Sequence, residues 1–290
     1  MKISAFTFIK NGSILGYPFI ESIKSVLPIV DEFIVNVGYS EDDTLSRIQS
    51  IRDPKIKILE SQWNETMADR GYVYGQQKMI AQFNCQGDWA FYVEADEVYH
   101  ENDLDELVKI MSDNLEVKRV EALAVNFHHF YGSAQYVLDS PGWYRSEVRI
   151  IRNNVRSYAP DGLFWVILDK NKVGRYPYAI KTPVSCYHYG WIRLEEQMNL
   201  KSKKVQKYWG GESKIIKYAN IDFKILKEFF GSHPSIAKNW LEQNSNKDFS
   251  VSKSYKISSK QKKHRIMMFF EKIFKVDLSK KHYKDLSKQK

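Results

Sequence analysis

The chain has 290 residues, 43% hydrophobic and 14% aromatic, with a mean hydropathy of −0.48. That composition fits a globular protein with a sizeable core, and no apolar run approaches the roughly eighteen residues of a membrane-spanning helix. The net charge of +9 is uneven: from Lys253 to Lys290 thirteen Lys/Arg face three Asp/Glu, so residues 1–252 are close to neutral and are not expected to bind nucleic acid.

Strand and helix alternate through the first hundred residues. Ile3 to Ile9 reads as a strand, and Ile14 to Leu27 as an amphipathic helix that Pro28 closes. Glu32 to Val37 is a second strand, and Asp42 or Asp43 caps a helix that runs from Thr44 to Ile51. Lys55 to Glu60 is a third strand. A helix through residues 76–81 follows, Gly87 ends it, and Asp88 to Val93 is the fourth strand. This βαβα order predicts an α/β fold with a mainly parallel sheet flanked by helices. Such sheets bind ligands at the carboxyl ends of their strands. Lys10 and Asn11, Ser40 to Asp43, and Glu94 to Asp96 meet at that rim.

Beyond residue 118 the pattern changes to strands at 120–131, 147–152 and 184–189, joined by Gly/Pro loops. Residues 194–245 read as mostly helical. The organisation expected is a catalytic domain over 1–195 (a nucleotide-binding half to 100, an acceptor half from 101), a helical extension over 196–250, and a basic tail over 251–290. Cys85 and Cys186 are isolated, without a CxxC, and read as buried thiols. The start, MKISAFTFIKNG, lacks the apolar run and cleavage site of a signal peptide, so a cytoplasmic protein is expected.

YVEADEV, residues 92–98, gathers Glu94, Asp96 and Glu97 at the end of an apolar strand. Three carboxylates in a dry site repel one another and raise at least one pKa. A Mg2+ or Mn2+ ion removes that difficulty and completes its shell with substrate phosphates and water. Carboxylates at the start of the helix near Leu104 are the other reading. P-loop, Rossmann, zincin and α/β-hydrolase signatures are all missing. A nucleotide site without a glycine-rich phosphate loop remains.

Phe8-Ile9-Lys10-Asn11, Glu21-Ser22-Ile23, residues 32–44 (EFIVNVGYSEDDT), Gly87-Asp88-Trp89 and Glu94-Ala95-Asp96-Glu97 together resemble the ordered motifs of family 2 glycosyltransferases with the GT-A fold. The resemblance covers roughly the first hundred residues, is looser to about 195 and is absent from the tail. It implies a nucleoside-diphosphate-sugar donor (a UDP-sugar favoured), a divalent Mn2+ or Mg2+ ion and inversion at the anomeric carbon. Carried over by position, Thr7, Lys10 and Asn11 line the base and ribose, with Asn36 near the base. Ser40 and Asp42 match a Ser-x-Asp, Gln77 and Lys78 face the donor, Glu94 lies by the ribose or a metal-bound water, and Asp96 ligates the metal. Asn36 and Glu94 each stand where the family has Asp, and Tyr39 is an insertion.

An inverting transfer needs a base near the acceptor hydroxyl. Asp161 is the first candidate, against an ordinary Pro-Asp-Gly turn. Glu147 is the second, against an ion pair with Arg149 or Arg152. His188 is a candidate metal ligand or a packing residue, while His128 and His129 read as structural. Trp143, Tyr144, Trp165 and Trp191 are candidate sugar platforms.

In the tail, Ile266, Phe269, Phe270, Ile273 and Phe274 fall at helical spacing among lysines. Such a helix suits an anionic membrane surface, with docking on the protein's own body or on a partner as the other reading. The expected activity is sugar transfer to a saccharide or lipid-linked acceptor, in the cytoplasm or peripherally at the membrane. The rival readings are a sugar-phosphate nucleotidyltransferase, whose Gly-rich N-terminal loop is missing here, and a non-catalytic carbohydrate- or membrane-binding scaffold.

Overall fold

A computed structural model describes residues 1–67 and 69–288; the last two residues of the expected tail lie outside it. The first half holds strands β1 (Ile3–Ile9), β2 (Glu32–Gly38), β3 (Ile56–Ser61), β4 (Trp89–Tyr92) and β5 (Glu97–Tyr99), with helices α1 (Phe19–Val26), α2 (Thr44–Gln49), α3 (Tyr72–Phe83) and α4 (Leu104–Asp113). Then come β6 (Ala122–Tyr131), β7 (Ser133–Leu138), β8 (Ser146–Arg152), β9 (Ser157–Tyr158), β10 (Val166–Leu168), β11 (Gly174–Arg175) and β12 (Tyr178–Trp191). The last third carries α5 (Glu195–Val205), β13 (Leu226–Glu228), α6 (Lys238–Asn244), α7 (Ser259–Phe274) and β14 (Lys284–Asp285).

The main sheet runs β13-β7-β6-β8-β4-β1-β2-β3, and β12 joins it beside β6 with β5 and β14 attached. The pairs β4–β1, β1–β2 and β2–β3 are parallel, whereas β8 runs antiparallel to β4 and to β6. This is the α/β architecture expected: a mixed, mainly parallel sheet covered by helices. β1 and β2 are buried along nearly their whole length because both faces are covered. α1 buries Phe19, Ile23 and Val26, one turn apart, against one face. Gly75 lets α3 press onto the backbone at Ala159, since a Cβ there would sit 2.4 Å from that carbonyl oxygen.

The predicted strands and helices of the first hundred residues all form, although the helix expected from Ile14 starts only at Phe19 after a turn. Two expectations change. Residues 196–250 are only partly helical: α5 and α6 are separated by irregular chain and the short β13. The basic segment is built into the body, because β14 pairs with β12, the Tyr283 hydroxyl hydrogen-bonds Ser146 at 2.7 Å, and His282 and Tyr283 are buried. A run of lysines in the sequence conceals that insertion, because its apolar content is small: Tyr283, which is buried, and Leu286, which packs against the core.

Candidate active site

A cavity of about 650 Å3 opens at the carboxyl ends of β1 to β4, within the range of small-molecule sites. Phe8, Trp63, Tyr74, Tyr92, Tyr208 and Trp209 form an aromatic side, in which Trp63 lies 5.3 Å from Tyr74 and 5.7 Å from Tyr208. Lys10, Asn11, Glu94 and Asp96 face it from the strand ends, and α5 closes the other wall with Lys201, Lys203 and Lys204, followed by Lys207. Several of these cations are held by carboxylates around the opening: Lys204 by Glu41 at 2.6 Å, Lys207 by Glu65 at 2.5 Å, and Lys10 also by Glu65.

The acidic cluster is divided between two buried arginines. Arg149, on β8, grips Glu97 with Nε and Nη2 at 2.6–3.0 Å and reaches Glu94 with Nη2 at 2.9 Å. Arg193 donates to Asp96 Oδ2 at 2.8 Å and to the Leu15 carbonyl at 2.9 Å, and Lys201 approaches the same Oδ2 at 3.4 Å. Burial alone would raise the Asp96 pKa, but the charges of Lys201 and Arg193 hold it well below the usual carboxylate range. Glu94 goes the other way: burial, with the Glu97 charge added, pushes it up to about 8, because Arg149 is largely committed to Glu97. Glu97 is therefore no helix-start residue; it sits in β5 as the partner of Arg149.

His188 lies on β12 beside this cluster, its Nε2 3.7 Å from Asp96 Oδ1. Its Nδ1 is 3.0 Å from Nδ1 of His129, whose Nε2 is 2.8 Å from the Tyr144 carbonyl oxygen. The carbonyl can only accept, so His129 carries its proton on Nε2 and accepts at Nδ1. His188 must then donate from Nδ1, which leaves a lone pair on Nε2. Burial lowers both histidine pKa values and keeps the rings neutral. An imidazole lone pair thus faces a carboxylate oxygen at a distance too long for a hydrogen bond. Two acceptors so placed suit a cation between them. Gly190 keeps the place open, since a Cβ there would lie 2.6 Å from His188 Nε2 and 3.1 Å from Asp96 Oδ2. Among the described residues no group of three or more His, Cys, Asp or Glu side chains is placed to hold a metal. Asp96 and His188 fit a Mn2+ ion as a pair of protein donors whose remaining positions go to phosphate and water. His129 fixes the orientation and tautomer of the His188 ring. Its replacement by Phe is expected to weaken Mn2+ binding about 10- to 100-fold in titration calorimetry, with the fold retained by circular dichroism.

The other expected site residues divide into lining and support. Lys10, Asn11, Glu94 and Asp96 line the cavity. Asn11 adopts a left-handed conformation (φ 57°), bonds Ser40 Oγ through its N–H and takes the Glu41 N–H on Oδ1. Ser40 thus shapes the loop from behind. Asp42 accepts from the Ile14 and Thr44 N–H groups and tethers the loop to α2. Thr7 and Asn36 are buried in the sheet, and Asn36 Nδ2 bonds the carbonyl and Oε1 of Gln77. Asn36 and Gln77 do not face a donor; they join β2 to α3. Lys78 is also beneath the floor: Nζ donates to the Gly162 carbonyl at 3.1 Å and lies over Trp165 and Tyr92, and burial pushes its pKa well below the usual range.

Neither candidate base reaches the cavity. Asp161 Oδ1 caps its own turn by accepting from the Leu163 and Phe164 N–H groups. Glu147 is fully buried and pairs with His282 of the C-terminal segment, a partner the sequence does not announce. Trp143, Tyr144, Trp165 and Trp191 pack in the interior away from the cavity lining. The sequence does not announce Arg193, Trp63 or the α5 lysines as site residues, nor the parts that Arg149 and His129 play here. The Lys-Ser-Lys-Lys run at 201–204 was the visible signal for the lysines.

The chain matches no family model and no curated protein. It resembles solved structures in part. S. aureus TarS 1–349 in complex with UDP is 15% identical, with a TM-score of 0.39 over 53% of this chain and 47% of that one. Glucosyl-3-phosphoglycerate synthase from Mycobacterium tuberculosis, in complex with Mn2+, UDP-glucose and phosphoglyceric acid, is 20% identical, with a TM-score of 0.31 over 45% and 44%. Mannosyl-3-phosphoglycerate synthase from Rubrobacter xylanophilus is 19% identical, with a TM-score of 0.32 over 44% and 41%. The matched region spans less than half of each of these proteins, so the site carries the functional argument.

Proposed function

We propose that the protein is a glycosyltransferase that moves a sugar from a nucleoside-diphosphate sugar, a UDP-sugar favoured, to a saccharide or lipid-linked acceptor with inversion. The observation that carries this reading is the lone-pair-to-carboxylate pair of His188 and Asp96, set between an aromatic wall and a lysine wall in one cavity. The aromatic side stacks a base, and Lys10, Lys201 and Lys204 face the diphosphate. Asp96 and His188 would hold a Mn2+ or Mg2+ ion, which would supply Lewis-acid stabilisation of the departing diphosphate. Arg149 and Arg193 fix the carboxylates before substrate arrives, so little reorganisation is left for the reaction. The place of work is the cytoplasm, peripheral to the membrane where the acceptor is lipid-linked.

Glu94 is the cavity carboxylate whose pKa, about 8, suits a general base. Only its deprotonated form accepts a proton, so turnover is expected to rise with pH through the Glu94 pKa, which a cation at Asp96 would bring down from about 8. Glu94→Gln is expected to lower kcat about 100-fold or more and flatten that rise, with nucleotide binding retained. A parallel loss of binding would remove Glu94 from this role. The activity itself is tested by release of nucleoside diphosphate from a panel of nucleotide sugars, with Mn2+ and with chelator. Pyrophosphate release from a nucleoside triphosphate and a sugar phosphate would favour a nucleotidyltransferase, and no turnover with sugar binding would favour a scaffold.

A further inference from the structure

Helix α7 is mounted on the protein by its polar side together with Met268, which packs against the cluster around Tyr131 and Ile225. Arg265 donates two 2.6 Å hydrogen bonds to Asp222, and Glu271 accepts from both terminal nitrogens of Arg145 at 2.6 and 2.9 Å. His264 is buried against Gly142, where a Cβ would fall 2.1 Å from its ring. A capping box between Ser258 and Gln261 fixes the start of the helix. The segment after it is held by the His282–Glu147 pair and the β14–β12 pairing. Both ends are therefore anchored, and docking on the body does not use the apolar stripe.

That stripe faces outward. Ile266, Phe269, Phe270, Ile273 and Phe274 are 44–62% exposed. Contiguous apolar surface of this kind marks an interaction site. Charge decides among occupants. Lys260, Lys262, Lys263, Lys272, Lys275 and Lys280 flank the stripe, all exposed and without a carboxylate partner among the described residues. A second copy would bring two uncompensated sets of lysines together. An anionic lipid surface takes phenylalanines into its acyl boundary and neutralises the lysines at its headgroups.

We propose that the outward face of α7 docks the protein on an anionic membrane surface, with a fixed orientation set by the Arg145 and Asp222 clamps. The proposal is independent of the sugar-transfer reading. Its test is co-sedimentation of the full chain with phosphatidylcholine vesicles, with and without phosphatidylglycerol. Binding is expected only to the anionic vesicles, and raised salt should weaken it. Lys262→Ala with Lys263→Ala should lower partitioning roughly 30-fold, and Phe269→Ser with Phe274→Ser about tenfold or more. Unchanged melting curves would show that the variants fold. Failure to bind anionic vesicles, or equal binding by the phenylalanine variant, would overturn the proposal. So would a dimer in sedimentation velocity that the same variant makes monomeric, which would assign the face to a second copy. An acidic protein partner that binds in place of vesicles would overturn it as well.

Discussion

Asp96→Asn is expected to lower turnover about 1,000-fold, the scale of several kcal/mol of metal-derived charge stabilisation. The substitution keeps the shape of the side chain, and its amide oxygen can still accept from Arg193, which now donates to Oδ2 at 2.8 Å. What it removes is the negative charge opposite the His188 lone pair. Mn2+ binding should fall with turnover, while nucleotide contacts with the aromatic side persist. Folding should suffer less than catalysis, because Arg193 keeps the Leu15 carbonyl as a partner. Calorimetric titration of Mn2+ in the presence of nucleotide checks this, alongside steady-state rates. A variant with wild-type metal affinity would place the ion elsewhere.

Arg149→Met should act on stability instead. Its guanidinium is fully buried, and besides the two carboxylates it donates to the Val148 and Leu163 carbonyls. Methionine keeps much of the volume and leaves Glu97, also fully buried, without its counter-charge. Breaking such a pair from one side costs about 3–5 kcal/mol. Glu97→Gln added to Arg149→Met removes the stranded charge and should recover much of that loss. Urea denaturation of the two variants beside wild type measures both effects. A loss below about 1 kcal/mol in the single variant would show that water, not Arg149, compensates Glu97.

The parts of this site that could be read from sequence were those set by local rules. Apolar runs punctuated by Gly87 and Pro28 located the parallel strands, and the strand-end rule then placed Lys10, Asn11, Glu94 and Asp96 at one rim. His188 could be proposed as a ligand only through the family resemblance, since a lone histidine among aromatics at a strand end reads equally well as packing. Long-range pairing was not legible. The link from Asp96 to Arg193 spans 97 positions, and that from Glu147 to His282 spans 135. Nothing in the spacing of either pair marks it. Asn36 turns from the donor to α3 because a polar residue in a strand can face a ligand or a helix, and period-2 alternation gives no preference when both faces of the sheet are covered; Gln77, on α3, is the partner it takes there. The amphipathic stripe of α7 was visible as periodicity, but its outward orientation follows from Asp222 and Arg145, which lie far away in sequence.

The most direct test is a thermal-shift panel of UDP, GDP, CDP and dTDP, each with and without Mn2+, on wild type and Asp96→Asn. Ligands that bind the native state raise its melting temperature by mass action. The account expects one nucleotide to raise the midpoint, more with Mn2+ than without, and the metal-dependent part to vanish in the variant. No shift with any nucleotide, or a Mn2+ effect untouched by Asp96→Asn, would contradict it.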